Sequence, residues 1–344
     1  MSTSEISNMP PAPSASNPTL AGADEPIHES AAATSATTAT EQPTTAAPAT
    51  PGAGASSWLG IMLAMLAIYI IWGSTYFAIR LAIDGFPPFL MAGIRFLLAG
   101  GLMYGFLRWR GQPNPSRKEW AGAGLVGTLL LVGGNGLVSF AEQSVASGLA
   151  SLIVASVPLW AVIFSGFWKQ WPHRLEWVGL GIGFVGVAFL NLGGSFSGTP
   201  LGALILLLAA SCWAMGSVVS THVRLPKGQM ASAAEMLVGG VILLTMGLVQ
   251  GQHISGPLVP HAVWALLYLV VFGSLVAFSA FTYLLQRVRP TIVTSYAYVN
   301  PLVALALGAL FIGEKITLTE VLAMLLILAG VALVGLAKGR KTKR

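Results

Sequence analysis

Long unbroken apolar stretches constrain this chain more than any other feature. Of its 344 residues, 55% are hydrophobic and only 9% are charged, whereas soluble domains carry about 25% charged residues. A helix that crosses a bilayer needs about 20 apolar residues, and because hydrocarbon offers no partner to an open backbone, such a stretch must be helical. The sequence therefore predicts an all-α membrane protein with ten transmembrane helices. The ten windows lie at roughly 59–80, 88–107, 120–140, 147–167, 175–192, 201–221, 230–250, 261–285, 291–312 and 317–337.

The ten windows form two halves of five that resemble each other at a constant offset of 143 residues. The matched positions hold Gly, Pro, Gln and aromatic residues as well as common apolar ones. They pair Gly73-Ser74 with Gly216-Ser217, Phe140 with Tyr283, Gln143 with Gln286, Val145 with Val288, and Pro158-Leu159 with Pro301-Leu302. Because five is odd, the second half must enter the membrane from the opposite side. The pattern predicts two inverted five-helix repeats, an arrangement typical of alternating-access transporters with a substrate site near midplane.

The distribution of basic residues predicts the orientation. Lys and Arg cluster in every connection that follows an even-numbered window and in the C-terminal tail, whereas the opposite connections hold Lys315 and Arg80. Basic loops face the cytoplasm, so both termini are expected there, in a multi-pass protein of the bacterial inner (plasma) membrane. The net charge of +6 then reflects topology and contact with anionic lipid rather than nucleic-acid binding.

Four regions follow from this division. Residues 1–57 are rich in Ala, Pro, Ser and Thr and contain no Lys or Arg, a composition that cannot bury enough apolar surface to order itself. We expect a disordered cytoplasmic tail there, a first repeat at 58–192, a second at 200–338, and a basic cytoplasmic tail at 339–344.

Three short strings carry a family resemblance. They read W-G-S-T-Y-F-A-I-R at 72–80, M-A-G-I-R-F at 91–96 after a Pro-Pro pair, and V-N-P-L at 299–302 followed by G-E-K at 313–315. Together they resemble the EamA family of the drug/metabolite transporter superfamily, most closely its bacterial YedA-type exporters, over about residues 58–338. The resemblance implies ten helices in two inverted repeats and export of small metabolites, amino acids or drugs. The Gly-Glu pair of window 9 has no counterpart after window 4, so no role for Glu314 is transferred to the first half.

Two ionisable residues lie clearly inside the windows. Arg95 belongs to window 2 and Glu235 to window 7, and each charge costs about 2.5–3.5 kcal/mol at the centre of a spanning helix. One hypothesis is that Arg95 faces a wet cavity and attracts a carboxylate, while Glu235 takes or releases a coupling proton. The alternative is that both side chains reach the nearest membrane surface.

Charges at the window ends have simpler interpretations. Arg80 and Asp84 are four residues apart, a spacing at which opposite charges order a helix end. Glu142 and Glu176 are expected to be solvated helix ends.

Polar and aromatic side chains within the windows suggest a lined cavity. Asn135 and Ser139 share one helix face, and Asn300 lies in window 9. Aromatic residues inside the windows, away from the interfacial belts, would hold an apolar or aromatic solute by area and stacking, although packing against lipid or core explains any single one. The remaining cavity candidates are Trp72, Tyr76, Trp160, Trp213, Tyr296 and Tyr298.

Two prolines and two glycine pairs predict irregular or close-packed helices. Pro158 and Pro301 each remove a backbone donor, so we expect gating kinks beside the cavity, with a simple packing kink as the alternative. The pairs Gly101/Gly105 and Gly179/Gly183 are expected to bring helix backbones together.

These features predict a secondary transporter that exports small organic metabolites, either amino acid-like or drug-like. A passive facilitator of the same solutes is the alternative, and a membrane-embedded sensor or scaffold the weaker one. The histidines and Cys212 are not clustered and no nucleotide-binding loop occurs, so we expect no enzyme activity, no cofactor and no metal site. The expected partners are a small-molecule substrate and the lipid bilayer, and a homodimer is allowed but not required.

Overall fold

The computed structural model describes residues 53–169, 171, 174–192, 199–285, 287, 296–313 and 316–341. In these ranges the chain forms helices and turns and contains no β-strand, so the predicted all-α class is confirmed. The helices are α1 (Ala53–Ala82), α2 (Pro88–Trp109), α3 (Arg117–Ala141), α4 (Ser147–Trp168), α5 (Arg174–Leu192), α6 (Pro200–Val219), α7 (Gln229–Val249), α8 (Pro260–Leu284), α9 (Tyr296–Leu307, extended by a π-helical turn at Gly308–Ile312) and α10 (Leu318–Lys341).

Seven of these helices are long and apolar enough, in their described parts, to cross a membrane: α1, α2, α3, α4, α6, α7 and α8. The chain is therefore a helical membrane protein with several spans. Its predicted ten crossings and the inverted relation of its halves stay predictions.

Most helix contacts join one half of the chain to the other. The helix pair α2 and α7 and the pair α5 and α10 make the most extensive contacts. Helix α1 packs on α8 and α9, while α6 packs on α3 and α4. The main apolar core therefore lies between the halves and includes Phe96, Leu149, Leu206 and Met236.

Missing side chains allow α2 and α7 to approach closely. A Cβ atom added at Gly93 would lie 2.9 Å from the Cα of Leu244, and one at Gly100 would lie 2.9 Å from the backbone nitrogen of Leu237. Because the residue number falls along α7 as it rises along α2, the two helices are antiparallel. Close contact of this kind drives helix association in lipid, where apolar burial alone contributes little.

The two predicted glycine pairs behave differently. Gly179 and Gly183 face α10, where a Cβ added at Gly330 would lie 2.6 Å from the Gly179 carbonyl oxygen and 2.7 Å from the Gly183 Cα. In contrast, a Cβ at Gly101 or Gly105 would meet nothing within 4 Å. The prediction for Gly101 and Gly105 was wrong, because that face of α2 points away from the bundle.

Two expectations about charged helix ends were also wrong. Arg80 and Asp84 do not form an ion pair with each other. Arg80 Nη1 donates to the carbonyl oxygen of Glu142 at 3.0 Å, and Asp84 Oδ2 lies 3.3 Å from Nε2 of His261. Glu142 and Glu176 are buried rather than solvated. At Glu142, Arg80 of α1 reaches the end of α3, so this helix end is packed against another helix rather than open to solvent.

Gly330→Ala is expected to lower the free energy of unfolding by about 1–3 kcal/mol, as overpacking of a tight contact does. The substitution forces α10 away from α5, because the new methyl group would overlap the α5 backbone. The measurement is the thermal unfolding midpoint in detergent. Gly101→Ala is the matched control and should leave the midpoint unchanged or slightly raised. Equal midpoints for both variants would contradict the described contact.

Candidate functional site

One internal cavity is lined by helices from both halves of the chain. Its walls come from α1, α2, α3 and α4 on one side and from α6, α8 and α9 on the other. The cavity volume is about 80 Å³, which leaves room for several water molecules.

The cavity brings together eight of the thirteen side chains singled out from the sequence. They are Trp72, Tyr76, Arg95, Asn135, Trp213, Tyr296, Asn300 and Pro301. They come from five helices that are distant in sequence, so their shared location is a property of the fold.

The other singled-out residues lie elsewhere. Ser139 is buried and its Oγ donates to the Asn135 carbonyl oxygen at 3.0 Å, whereas Trp160 packs on Phe164 and Phe184. Neither belongs to the cavity wall. The side chain of Tyr298 lies outside the described residues.

Some lining residues carry no signal in the sequence. Thr75, Ser151 and Phe278 contribute to the wall, yet each is an ordinary residue of an apolar helix. For Thr75, the one available signal is its three-residue spacing from Trp72, which places both on the same helix face.

Arg95 joins three helices at the polar end of the cavity. Its Nε donates to Ser274 Oγ at 2.9 Å, its Nη1 to Asn135 Oδ1 at 3.2 Å, and its Nη2 to the Gly273 carbonyl oxygen at 3.3 Å. The side chain is only 1% exposed. A guanidinium has five N–H donors, so after three bonds it retains two for a solute or water.

The partners of Arg95 lie in two π-helical stretches. Asn135 belongs to the one at Thr128–Gly136 in α3, and Gly273 and Ser274 belong to the one at Leu269–Val276 in α8. π-Helical turns are rare and occur frequently at functional sites. They occupy overlapping positions at the 143-residue offset, so each half contributes one irregular helix to the Arg95 site.

An aromatic cluster also lines the cavity. The Trp72 ring is surrounded by Trp213, Phe278, Phe281 and Tyr296, with ring centroids 4.9–6.5 Å away and mostly edge-to-face geometry. Such pairs prefer edge-to-face contact because ring faces are negative and edges positive. The cavity lining therefore combines aromatic and polar groups.

Helix α4 is interrupted where it meets the cavity. The helix stops at Val154 and restarts at Val157, with Pro158 in the new first turn. Pro158 has no N–H for the Val154 carbonyl, and Leu159 N–H bonds to the Ser156 oxygen instead of continuing the earlier helix. Pro301, by contrast, lies inside α9. Of the two matched prolines, Pro158 therefore accompanies a break in its helix, whereas Pro301 lies within the continuous helical run Tyr296–Leu307.

Asn300 presents an unused acceptor at the wall. Its side chain is 7% exposed, and its Oδ1 has no hydrogen-bond partner among the described residues. Leaving a buried acceptor unpaired costs about 1–3 kcal/mol. A donor N–H or O–H from a bound solute or a water would satisfy it.

Glu235 is buried but lies outside the cavity wall. The antiparallel register of α2 and α7, given by Gly100 against Leu237, places Glu235 level with Leu102. That position is about seven residues, or about 10 Å along the helix, from Arg95. The two charges therefore lie about two helical turns apart along the α2–α7 pair and do not form an ion pair.

Metal-ligating side chains do not converge in the part of the chain that the structure describes. No three His, Cys, Asp or Glu residues lie close enough there to hold an ion. The lining of the cavity offers amide, hydroxyl, guanidinium and aromatic groups instead, which suit an organic solute.

Fold and site together define a helical membrane protein with several candidate spans and an internal cavity lined by both halves of the chain. The EamA-like transporter family matches residues 58–192 and again 200–336, so the chain belongs to this family and the resemblance of the sequence strings is confirmed. The match of two separate stretches covers most of the chain.

Named relatives agree with this assignment. The chain is 45% identical over 276 residues to the uncharacterized inner membrane transporter YedA of Escherichia coli (strain K12), covering 80% of this chain and 90% of that protein. It is 28% identical to the uncharacterized transporter sll0355 of Synechocystis, covering 79% and 88%. A crystal structure described only as that of a protein is similar with a TM-score of 0.58 and 21% identity, covering 83% of this chain and 99% of the other, and it supports the fold alone.

Ser274→Ala is expected to lower the free energy of unfolding by about 1–3 kcal/mol, because the Arg95 Nε–H loses its acceptor in a buried site. The measurement is unfolding in detergent micelles titrated with sodium dodecyl sulfate. Ser139→Ala is the matched control, since that buried hydroxyl bonds only within its own helix. A larger loss in the control than in Ser274→Ala would contradict the role of Arg95 as a cross-link.

Proposed function

We propose that this protein is a secondary transporter that exports small organic metabolites, amino acid-like or drug-like, across the bacterial inner membrane by alternating access. The observation that carries the proposal is the cavity lined by both halves of the chain. A site between two halves can open to either side when the halves rearrange around it.

The helix contacts support inverted repeats. In a repeat symmetry, each helix of the first half corresponds to the helix five places later, so α1 corresponds to α6 and α4 to α9. This symmetry converts the α1–α9 contact into α6–α4 and the α3–α6 contact into α8–α1. All four contacts are present. The α2–α7 and α5–α10 pairs map onto themselves. The two family matches, one per half, support the same division.

The lining of the cavity favours a solute that carries both apolar and polar groups. The aromatic rings around Trp72 suit an apolar or aromatic group. The N–H groups of Arg95 beyond its three described bonds suit a carboxylate, and Oδ1 of Asn300 suits an N–H donor. Amino acid-like solutes carry all three features.

Irregular helices supply places where the cavity could open. The interruption of α4 at Ala155 and Ser156 and the π-helical stretches of α3 and α8 lie beside the cavity. Bends in helices concentrate where the regular hydrogen bonding is broken. Gating by these segments needs little change in the regular helices.

The energy source separates two forms of the proposal. A coupled transporter needs a group that changes protonation during the cycle, and the buried carboxylate of Glu235 is the candidate. A passive facilitator needs no such group. A sensor or scaffold would leave the cavity without a transported solute.

Cysteine accessibility tests alternating access. In a Cys212→Ala background, Val154→Cys at the cavity wall should react with a membrane-impermeant maleimide both in intact cells and in inside-out vesicles. Leu152→Cys, two residues away and fully buried, is the control and should react from neither side. A Val154→Cys variant that is closed to both compartments would overturn the proposal.

Flux in proteoliposomes tests proton coupling. Glu235→Gln should abolish the part of solute flux that a pH gradient drives, while exchange of labelled for unlabelled solute continues. Asp84→Asn, a partly exposed carboxylate paired with His261, is the control and should retain both. If the rate of wild-type flux did not change with the pH gradient, the result would favour the passive facilitator instead.

A further inference from the structure

A second pocket lies at the basic end of the bundle. It is formed by the end of α2, the turn that leads into α7, and the end of α8, and its volume is about 370 Å³. None of the central cavity residues lines it.

The pocket presents positive charge and hydrogen-bond donors. Lys227 and Arg287 supply the charge, Gln112 and Gln229 supply amides, and no described lining residue is acidic. Lys227 also interacts with Glu119, but that carboxylate already accepts bonds from the Ser116 backbone and hydroxyl at 2.7 and 2.8 Å.

Arg287 is held in position at the pocket. Its guanidinium lies over the Tyr283 ring at 3.9 Å from the centroid, and its Nη1 donates to the Tyr283 carbonyl oxygen at 3.4 Å. Stacking and one hydrogen bond fix the planar group while leaving other N–H donors for a ligand. A guanidinium with free donors matches the oxygens of a phosphate group.

Apolar side chains beside the pocket mark the boundary with lipid. Leu107 lines the pocket, and in the same turn of α2 Phe106 and Trp109 are exposed, Trp109 to 80%. Arg110 lies over the Phe106 ring at 5.9 Å from the centroid. Exposed aromatic residues next to arginine are typical of the depth at which lipid headgroups lie.

We propose that this pocket binds the phosphate group of an anionic phospholipid. Lys227 and Arg287 would contact the phosphate oxygens, the glutamine amides would donate to the headgroup, and the acyl chains would run along the exposed face of α2. Basic pockets between spanning helices bind anionic headgroups in this way. The site is separate from the transport cavity and does not depend on the transported solute.

Native mass spectrometry of the full-length protein tests the site. The protein is equilibrated with detergent micelles that contain equal amounts of phosphatidylglycerol and phosphatidylcholine, and the bound fraction of each lipid is measured. The wild type should retain phosphatidylglycerol preferentially. The double variant Lys227→Gln/Arg287→Gln should bind phosphatidylglycerol at least tenfold more weakly, because each basic group contributes about a fivefold preference.

The matched control is Arg117→Gln/Lys118→Gln, which removes the same charge from exposed residues in the first turn of α3 that do not line the pocket. It should retain the wild-type preference, and circular dichroism of all variants checks that they fold. Equal losses in both double variants would overturn the proposal in favour of general attraction to a basic surface. Displacement of the lipid by millimolar glycerol 3-phosphate would overturn it in favour of a soluble phosphate ligand.

Discussion

A guanidinium buried in a helical membrane protein must find acceptors within the protein, and Arg95 satisfies this constraint by joining three helices. Its partners on α3 and α8 belong to different halves of the chain. The same bonds hold Arg95 and Asn135 at the cavity, whose lining also includes Trp72. Burial of one charge thus ties a helix of the first half to a helix of the second.

Backbone irregularity is the second element of the site. In a soluble protein, water could satisfy the groups that π-helical turns and helix breaks release, but lipid cannot. Here parts of the irregular stretches of α3, α4 and α8 face the interior: Arg95 donates to the carbonyl of Gly273, and Asn135 and Val154 line the cavity. Released backbone groups at these positions therefore have protein or the cavity beside them.

Much of the fold could be predicted from the sequence because hydropathy determines where helices begin and end in a bilayer. The predicted window 88–107 corresponds to Pro88–Trp109, and 230–250 to Gln229–Val249. Rotation of each helix about its axis was harder to predict. An apolar helix in lipid has no polar side to indicate its inner face. The sequence therefore could not show that Gly101 faces outward.

The cavity residues show the same limit. Arg95 and Asn300 could be found because a charge or amide is rare in such a segment, and Trp72 and Tyr296 because aromatic residues usually lie nearer the membrane surface. Asn135 lines the cavity while Ser139 does not. The four-residue spacing alone does not reveal that Ser139 is fully buried and that its Oγ donates to the Asn135 carbonyl oxygen.

The glycine contacts between α2 and α7 restrict the motions available to the protein. The backbones interlock at Gly93 and Gly100 with no side chain between them, so sliding one helix along the other would drive Leu244 or Leu237 into main-chain atoms. Under the proposed alternating access, we expect this pair and the closely packed α5 and α10 to keep their contacts. Rearrangement would then take place in the other helices, of which α3 and α4 have irregular segments that border the cavity.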